Sequence, residues 1–303
     1  MDRKRFFLSA GAAAGLAAVG SRPVRAAEMS EEELRKLGKT NLKIALQPGM
    51  FRLPIIEAID KIAYYGFPAV ESLGAGGDLD AIRKKLDETG VAWSCIGGVG
   101  SIGNPKKWEE GLGLSSEEEH ERIEKTFRDR VETAKKLNIK RVLVLTGQKR
   151  QDIAADKQTE ILVKGLKRLA PIAEAAGVTI VLEILNTLVN HPGYFLVYTP
   201  QGAEIMKAVG SPNVKLLYDI YHQQISEGNL IDNIKKYISY IGHFHIGDNP
   251  GRQYPGTGEI NYKNVFRAVW ETKYDGYLAM ECGYGNKSPV EIMQIMHDLT
   301  TFA

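Results

Sequence analysis

The chain has 303 residues, 44% of them hydrophobic and 25% charged, with a formal net charge of +2. These values exclude a disordered, collagen-like or membrane-filling chain and allow one large core. Residues 1–26 hold Arg3, Lys4, Arg5, Arg22 and Arg25 against Asp2, so the remainder is close to −2, which argues against a nucleic-acid partner.

The N-terminus, MDRKRFFLSAGAAAGLAAVGSRPVRAAEM, has the build of an export signal: a basic start, a short Ala/Gly/Leu stretch and small residues around Ala26. The apolar stretch is too short for a comfortable membrane span. Lys4-Arg5-Phe6-Phe7-Leu8 is similar to a twin-arginine signal with Lys in the first arginine's place. Residues 1–26 are therefore expected to be removed on export to the periplasm, with no stable membrane insertion afterwards. Residues 27–41 form a polar lead-in.

From residue 42 to 303 strand-like and helix-like segments alternate eight times. The expected strands span 42–47, 68–73, 91–98, 139–147, 178–186, 214–222, 241–248 and 276–283. They are short and rich in Val, Ile and Leu, as parallel strands covered on both faces should be. Amphipathic segments separate them, and Gly66, Gly90 and Gly177 stand where helices should stop. This pattern predicts an α/β chain folded as a single (β/α)8 TIM barrel. A doubly wound sheet would need a phosphate-binding glycine turn, and Leu73-Gly74-Ala75-Gly76-Gly77 lacks the dinucleotide spacing, so no nucleotide cofactor is expected. Cys95 and Cys282 fall on the third and eighth strands, which are not neighbours in such a barrel. They are expected to be buried thiols rather than a disulfide.

Barrel chemistry sits at the C-terminal ends of the strands. Glu183 in VTIVLEILN, Asp219 in VKLLYDIYH, His245 in IGHFHIGD and Glu281 in GYLAMECG all stand at or near such ends. A lone acid there could be a buried structural group. Four such groups on consecutive strands would carry a large desolvation cost without a cation. Three carboxylates and an imidazole suit a divalent metal ion, Mn²⁺ or Mg²⁺ by oxygen content, with Zn²⁺ or Co²⁺ admitted by the histidine. His243 alternates with His245, faces the same way, and should sit one layer deeper beside the ligands. His222, just past its strand, is a candidate contact for a substrate oxygen, with Asn186 at the end of the Glu183 run. Arg252, in the DNPGR loop, has a guanidinium fork that matches a carboxylate.

The stretch LEILNTLVNHPGYFL, YDIYHQQISEGNL, HFHIGDNPGRQYPGTGEINY and GYLAMECGYG resembles the hydroxypyruvate isomerase family of xylose isomerase-like TIM barrels. The likeness covers about residues 178–285, with PGTGEINY its most specific part. The resemblance implies that Glu183 and Glu281 are both metal ligands and the acid/base pair, and that Asp219 is a third ligand. It places His222 and Arg252 at substrate-contact positions. Position 245, commonly glutamine in these isomerases and histidine in the related ketose 3-epimerases, is histidine here. Val189 stands where some epimerases carry a glutamate.

Chemistry of this kind removes a proton beside a carbonyl, forms an enediolate and returns the proton elsewhere. The expected activity is isomerisation of hydroxypyruvate and 2-hydroxy-3-oxopropanoate (tartronate semialdehyde), or of a related small hydroxy-carbonyl compound. Sugar epimerisation, or elimination from a 3-keto sugar, uses the same residues on a different substrate. A catalytically silent sugar- or protein-binding barrel would not need two bases. A phosphodiesterase of the DNA-repair barrel type would need more histidines and a basic groove. Self-association into a homo-oligomer is left open.

Overall fold

Residues 29–37, 39–103 and 106–302 are described in the computed structural model of the protein, and the expected export segment at 1–26 lies outside them. Nine strands follow in chain order: β1 (Lys43–Leu46), β2 (Ala69–Val70), β3 (Ala92–Trp93), β4 (Ile96–Val99), β5 (Arg141–Val144), β6 (Thr179–Glu183), β7 (Val214–Asp219), β8 (Ile241–Ile246) and β9 (Tyr277–Met280). All pairings are parallel, in the order β3-β2-β1-β9-β8-β7-β6-β5-β4. The ends of this order, β3 and β4, are two halves of the single strand expected at 91–98. Counted together they give eight strands and bring the sheet round into a nearly closed barrel.

The break in the third strand corrects the continuous run expected from VAWSCIGG. Its first half bonds back to β2, with the Ser94 amide donating to the Val70 carbonyl at 3.0 Å. Its second half pairs with β5, the Leu145 amide donating to Val99 at 3.0 Å. Ser94 and Cys95 lie where the chain changes neighbours. Gly98, with φ 93, then takes a left-handed conformation that a side chain would resist.

Among the described residues ten α-helices lie before, between and after the strands: α1 (Glu31–Arg35), α2 (Ile55–Tyr64), α3 (Leu79–Thr89), α4 (His120–Leu137), α5 (Ala155–Ala176), α6 (Thr199–Val209), α7 (Ile220–Ser226), α8 (Leu230–Tyr237), α9 (Tyr262–Glu271) and α10 (Pro289–Thr300). Gly90 and Gly177 close α3 and α5 in the left-handed conformation, as their place before a strand predicts. The strand expected over 214–222 ends sooner. Asp219 caps α7, accepting hydrogen bonds from the Tyr221 amide at 2.8 Å and the His222 amide at 3.2 Å. His222 therefore sits in the first turn of a helix. Among the described residues no helix is long and apolar enough to cross a membrane.

Alternation along each strand divides the core in two. Ile44, Leu46, Val70, Val142, Val144, Ile180, Leu182, Leu216, Tyr218, Phe244, Ile246, Leu278 and Met280 join the main core against the helices. The intervening residues face the barrel axis. Ala45, Ala69 and Ala279 form one small inner cluster; Cys95, Leu143, Val181 and Leu217 form another. The same parity brings Glu71, Glu183, Asp219, His243, His245 and Glu281 inward. Alanines on three adjacent strands leave room for the larger polar groups above them. Cys95 and Cys282 are both free thiols; Cys95 is buried as expected, whereas Cys282 is only partly so.

The loop after β8 is built on one carboxylate. Asp248, fully buried, accepts hydrogen bonds from the amides of Asn249 at 2.9 Å, Gly256 at 2.8 Å, Gly258 at 3.0 Å and Ile260 at 3.2 Å. Its own amide donates to the Gln253 carbonyl at 2.7 Å, and the Gly283 amide donates to the Arg252 carbonyl at 2.8 Å. Arg252 is thus pinned between the β8 and β9 ends. Asp248→Ala leaves four amides without their acceptor and should lower unfolding free energy by about 3 kcal/mol in denaturant titrations. An unchanged midpoint would show that the loop is held by other contacts.

Candidate active site

Strand register sets the layers of the site. Asp219 on β7 is the direct partner of His245 on β8, and Glu183 is paired with Leu217, itself the partner of His243. Glu281 extends β9 by one bond, its amide donating to the Ile246 carbonyl at 3.0 Å. The imidazole of His245 is wholly buried and touches three carboxylates. Nε2 lies 2.8 Å from Glu71 Oε1, and Nδ1 lies 2.7 Å from Glu281 Oε2 and 3.3 Å from Glu183 Oε1. Burial disfavours the imidazolium, but Glu281, Glu183 and Glu71 outweigh it and hold the ring's proton affinity well above normal.

The carboxylates differ from one another. Burial dominates at Glu183 and pushes it up to about 7, despite the His245 imidazole beside it. At Glu281 burial is outweighed by His245 and Arg252, and the group lies below its ordinary value. Asp219 is also lowered, because His222, Arg252 and His245 together overcome its burial. Arg252 Nη2 makes ion pairs with Asp219 Oδ2 at 2.8 Å and Glu281 Oε2 at 2.7 Å, its guanidinium 5.3 Å from the centre of the Tyr221 ring.

His222 is fixed by the loop after β6. Its Nδ1 receives the Asn186 backbone amide at 3.4 Å and lies 2.6 Å from the Asn186 side-chain amide. A backbone N–H can only donate, so Nδ1 is the acceptor and the ring proton belongs on Nε2. That nitrogen is buried, lacks a hydrogen-bond partner and lies 3.5 Å from Asp219 Oδ2. Burial pulls His222 down to about 4, so the ring is a neutral donor at physiological pH. Asn186 departs from its expected substrate contact. Its carbonyl oxygen accepts the amides of Val189 and Asn190, and its amide faces His222 and Asn190, so it acts on the site by orienting His222.

A cavity of about 540 Å³ opens beside these groups. Glu183, His191, His222, Arg252 and Glu281 line it together with Leu73, Ile102, Leu143, Leu145 and Leu185. Two lining or supporting residues were absent from the sequence expectations. His191, on the β6–α6 loop, has its ring centre 5.2 Å from that of His222. Glu71 lies immediately after β2, buried against His243 and His245. It carries the same signal as the other acids, an acidic residue at the tail of an apolar run. His243 lies beneath His245, as alternation predicts, with Nε2 2.8 Å from Glu71 Oε2.

One ligand atom each from Glu183, Asp219, His245 and Glu281 fall within 4.8 Å of one another. His245 Nδ1 is close to two of the carboxylates yet hydrogen-bonded to neither. A buried nitrogen left free beside converging oxygens, in a set of three carboxylates and one imidazole, fits a divalent cation.

Comparison with known proteins agrees with this architecture. The family model described as xylose isomerase-like TIM barrel matches residues 59–298. A putative hydroxypyruvate isomerase of Danio rerio is 31% identical over 234 residues, covering 71% of this chain and 79% of that protein. A 2-oxo-tetronate isomerase of Cupriavidus necator is 32% identical over 220 residues, covering 71% of this chain and 82% of that protein. In fold, the chain is also similar to the solved structure of the IOLI protein with a binding zinc atom. That match has a TM-score of 0.68 at 20% identity and covers 86% of this chain and 96% of the other. The barrel, the matched family and these relatives together make the chain a member of the xylose isomerase-like TIM barrel family, akin to the hydroxypyruvate isomerases, and an enzyme of isomerase type.

Proposed function

We propose that this enzyme interconverts hydroxypyruvate and 2-hydroxy-3-oxopropanoate, using Glu183 and Glu281 as its proton-transfer pair. The observation that carries this reading is the arrangement of those two carboxyls. Both approach the same imidazole nitrogen from different strands, yet their environments push their proton affinities apart, Glu183 up and Glu281 down. Carboxyl pairs separated in this way divide acid and base work between them. The printed names of the hydroxypyruvate isomerase relatives support the substrate, and the 2-oxo-tetronate isomerase supports the wider class of small hydroxy-carbonyl acids.

Glu183, Asp219, His245 and Glu281 would hold a divalent cation, which supplies Lewis-acid polarisation of adjacent carbonyl and hydroxyl oxygens. The remaining work belongs to side chains. The ionised glutamate takes the proton from the hydroxyl-bearing carbon, and the electron pair moves to the carbonyl, giving an enediolate. A proton returned to the former carbonyl carbon, with the hydroxyl proton passed from its oxygen to the former carbonyl oxygen, completes the isomerisation. His222 donates a hydrogen bond from its Nε2–H to a substrate oxygen. Arg252 leaves part of its ion-pair network to meet the substrate carboxylate. The aliphatic wall limits water beside the intermediate.

A second reading, epimerisation or dehydration of a sugar, is favoured by the cavity, which is roomy for a three-carbon acid and within the ordinary range for larger ligands. The two readings separate on the product formed. Export of the mature enzyme to the periplasm fits either.

Glu183→Gln and Glu281→Gln should each lower kcat by about 100- to 10,000-fold and abolish solvent-proton exchange at the substrate carbon. Full exchange in either variant removes that residue's role as base. Arg252→Met should lower kcat/KM about 10- to 100-fold for a carboxylate-bearing substrate and less for an uncharged sugar. An equal loss for both would favour the sugar reading.

The raised proton affinity of Glu183 has a pH signature in the cation-free protein. The folded state keeps a proton up to about pH 7 that the unfolded chain releases near 4.5. This contribution to stability is therefore fully present below 4.5 and lost as pH rises through 7. In chelator, Glu183→Gln should match the wild type near pH 4.5 and become progressively more stable than it up to pH 8 in thermal melts. A constant difference across that range would show that Glu183 titrates normally.

A further inference from the structure

We propose that Glu71 is a positioning residue. Its carboxylate accepts the Nε2 proton of His245 and so presents the Nδ1 lone pair to the gap between Glu183 and Glu281. The inference rests on reading Glu183, Asp219, His245 and Glu281 as a cation site, and adds a residue that none of those four roles requires.

The geometry of Glu71 is determined from several sides. Its amide donates to the Leu46 carbonyl at 3.0 Å, continuing the β2 ladder past Val70. Its side chain is 5% exposed, with one oxygen for each histidine: Oε1 is 2.8 Å from His245 Nε2 and Oε2 is 2.8 Å from His243 Nε2. The Ser94 hydroxyl also donates to Oε2. Ser94 reaches it because the third barrel strand breaks there. The two imidazoles stand edge to face, their centres 5.3 Å apart at 82°, so neither ring can turn without disturbing the other.

The consequence follows from the two nitrogens of one ring. An imidazole that ligates a cation is neutral, with one N–H and one lone pair, and the acceptor it is offered selects which nitrogen keeps the proton. With Glu71 as the acceptor at Nε2, Nδ1 is the free ligand. Without Glu71, an N–H at Nε2 would have no partner in a dry interior. The proton would then move to Nδ1, beside Glu281 Oε2 at 2.7 Å, and the cation would lose its nitrogen donor. Carboxylates commonly brace metal-ligating histidines in this manner. A purely structural Glu71, serving only to neutralise two buried rings, would affect folding stability and leave cation affinity unchanged.

Calorimetric titration of Mn²⁺ into the chelator-stripped full chain, paired with thermal melts, separates these roles. Wild type, Glu71→Leu, Glu71→Gln and Ser94→Ala are compared. Glu71→Leu should weaken Mn²⁺ binding about 10- to 100-fold. Glu71→Gln keeps a carbonyl acceptor for Nε2–H and should recover most of that loss, and Ser94→Ala should lose only a few-fold. Equal Mn²⁺ affinity in all folded variants, with only the melting temperature altered, overturns the proposal. If Glu71→Leu does not fold, weakened binding in Ser94→Ala and Glu71→Gln upholds it, and undiminished binding in both overturns it. Failure of the wild type to bind Mn²⁺ overturns the cation reading itself and this inference with it.

Discussion

The His245 imidazole is the interaction on which the site depends. Three carboxylates reach its two nitrogens inside a barrel whose other inward groups are largely small or aliphatic. Glu71, Glu183, Asp219 and Glu281 would repel one another in a medium of low dielectric unless positive charge stood among them. His245 supplies some of it from β8 and Arg252 some from the following loop. Glu183 remains the least compensated of the four, which is why its proton affinity rises while those of the other three fall. The unequal charge balance gives two otherwise similar glutamates different chemical tendencies.

The barrel makes this balance possible by parity and register. Each strand sends alternate residues outward to the helices, where Leu, Ile, Val and Phe supply the main hydrophobic core. The inward positions are therefore available for function at the strand ends. Pairing Asp219 with His245 puts two cation-competent groups from adjacent strands at one height. Asp219 also caps α7, so its carboxylate and the helix that carries His222 are oriented together. Asp248 does the same for Arg252 by gathering loop amides around one buried carboxylate. Catalytic geometry here is held largely by backbone hydrogen bonds to acidic side chains.

Much of this was legible in the sequence, for particular reasons. Eight apolar runs separated by amphipathic segments gave the barrel, and three acids and a histidine at the ends of four runs gave the cation-competent set. Alternation placed His243 below His245. The break at Ser94 and Cys95 was hidden because VAWSCIGG reads as one continuous strand, and its cause is a change of neighbour across the barrel. YDIYH looked like strand to its end because aromatic and β-branched residues favour sheet, whereas Asp219 is a helix cap. Glu71 had the right signal in PAVESL, but its importance comes from histidines 172 and 174 residues away, a pairing no local pattern carries. Asn186 stands at a strand end by position, and the hydrogen bonds that hold it against His222 join residues 36 apart in the chain.

Wild-type proton exchange addresses the central claim most directly. The cation-loaded enzyme is incubated with hydroxypyruvate in D₂O, beside a panel of other hydroxy-carbonyl compounds, and carbon-bound deuterium is followed by NMR. The account predicts deuterium at the hydroxyl-bearing carbon of hydroxypyruvate, together with formation of 2-hydroxy-3-oxopropanoate. Exchange confined to sugars would move the assignment to the epimerase or dehydratase reading. No exchange in any compound of the panel would contradict proton transfer by Glu183 and Glu281.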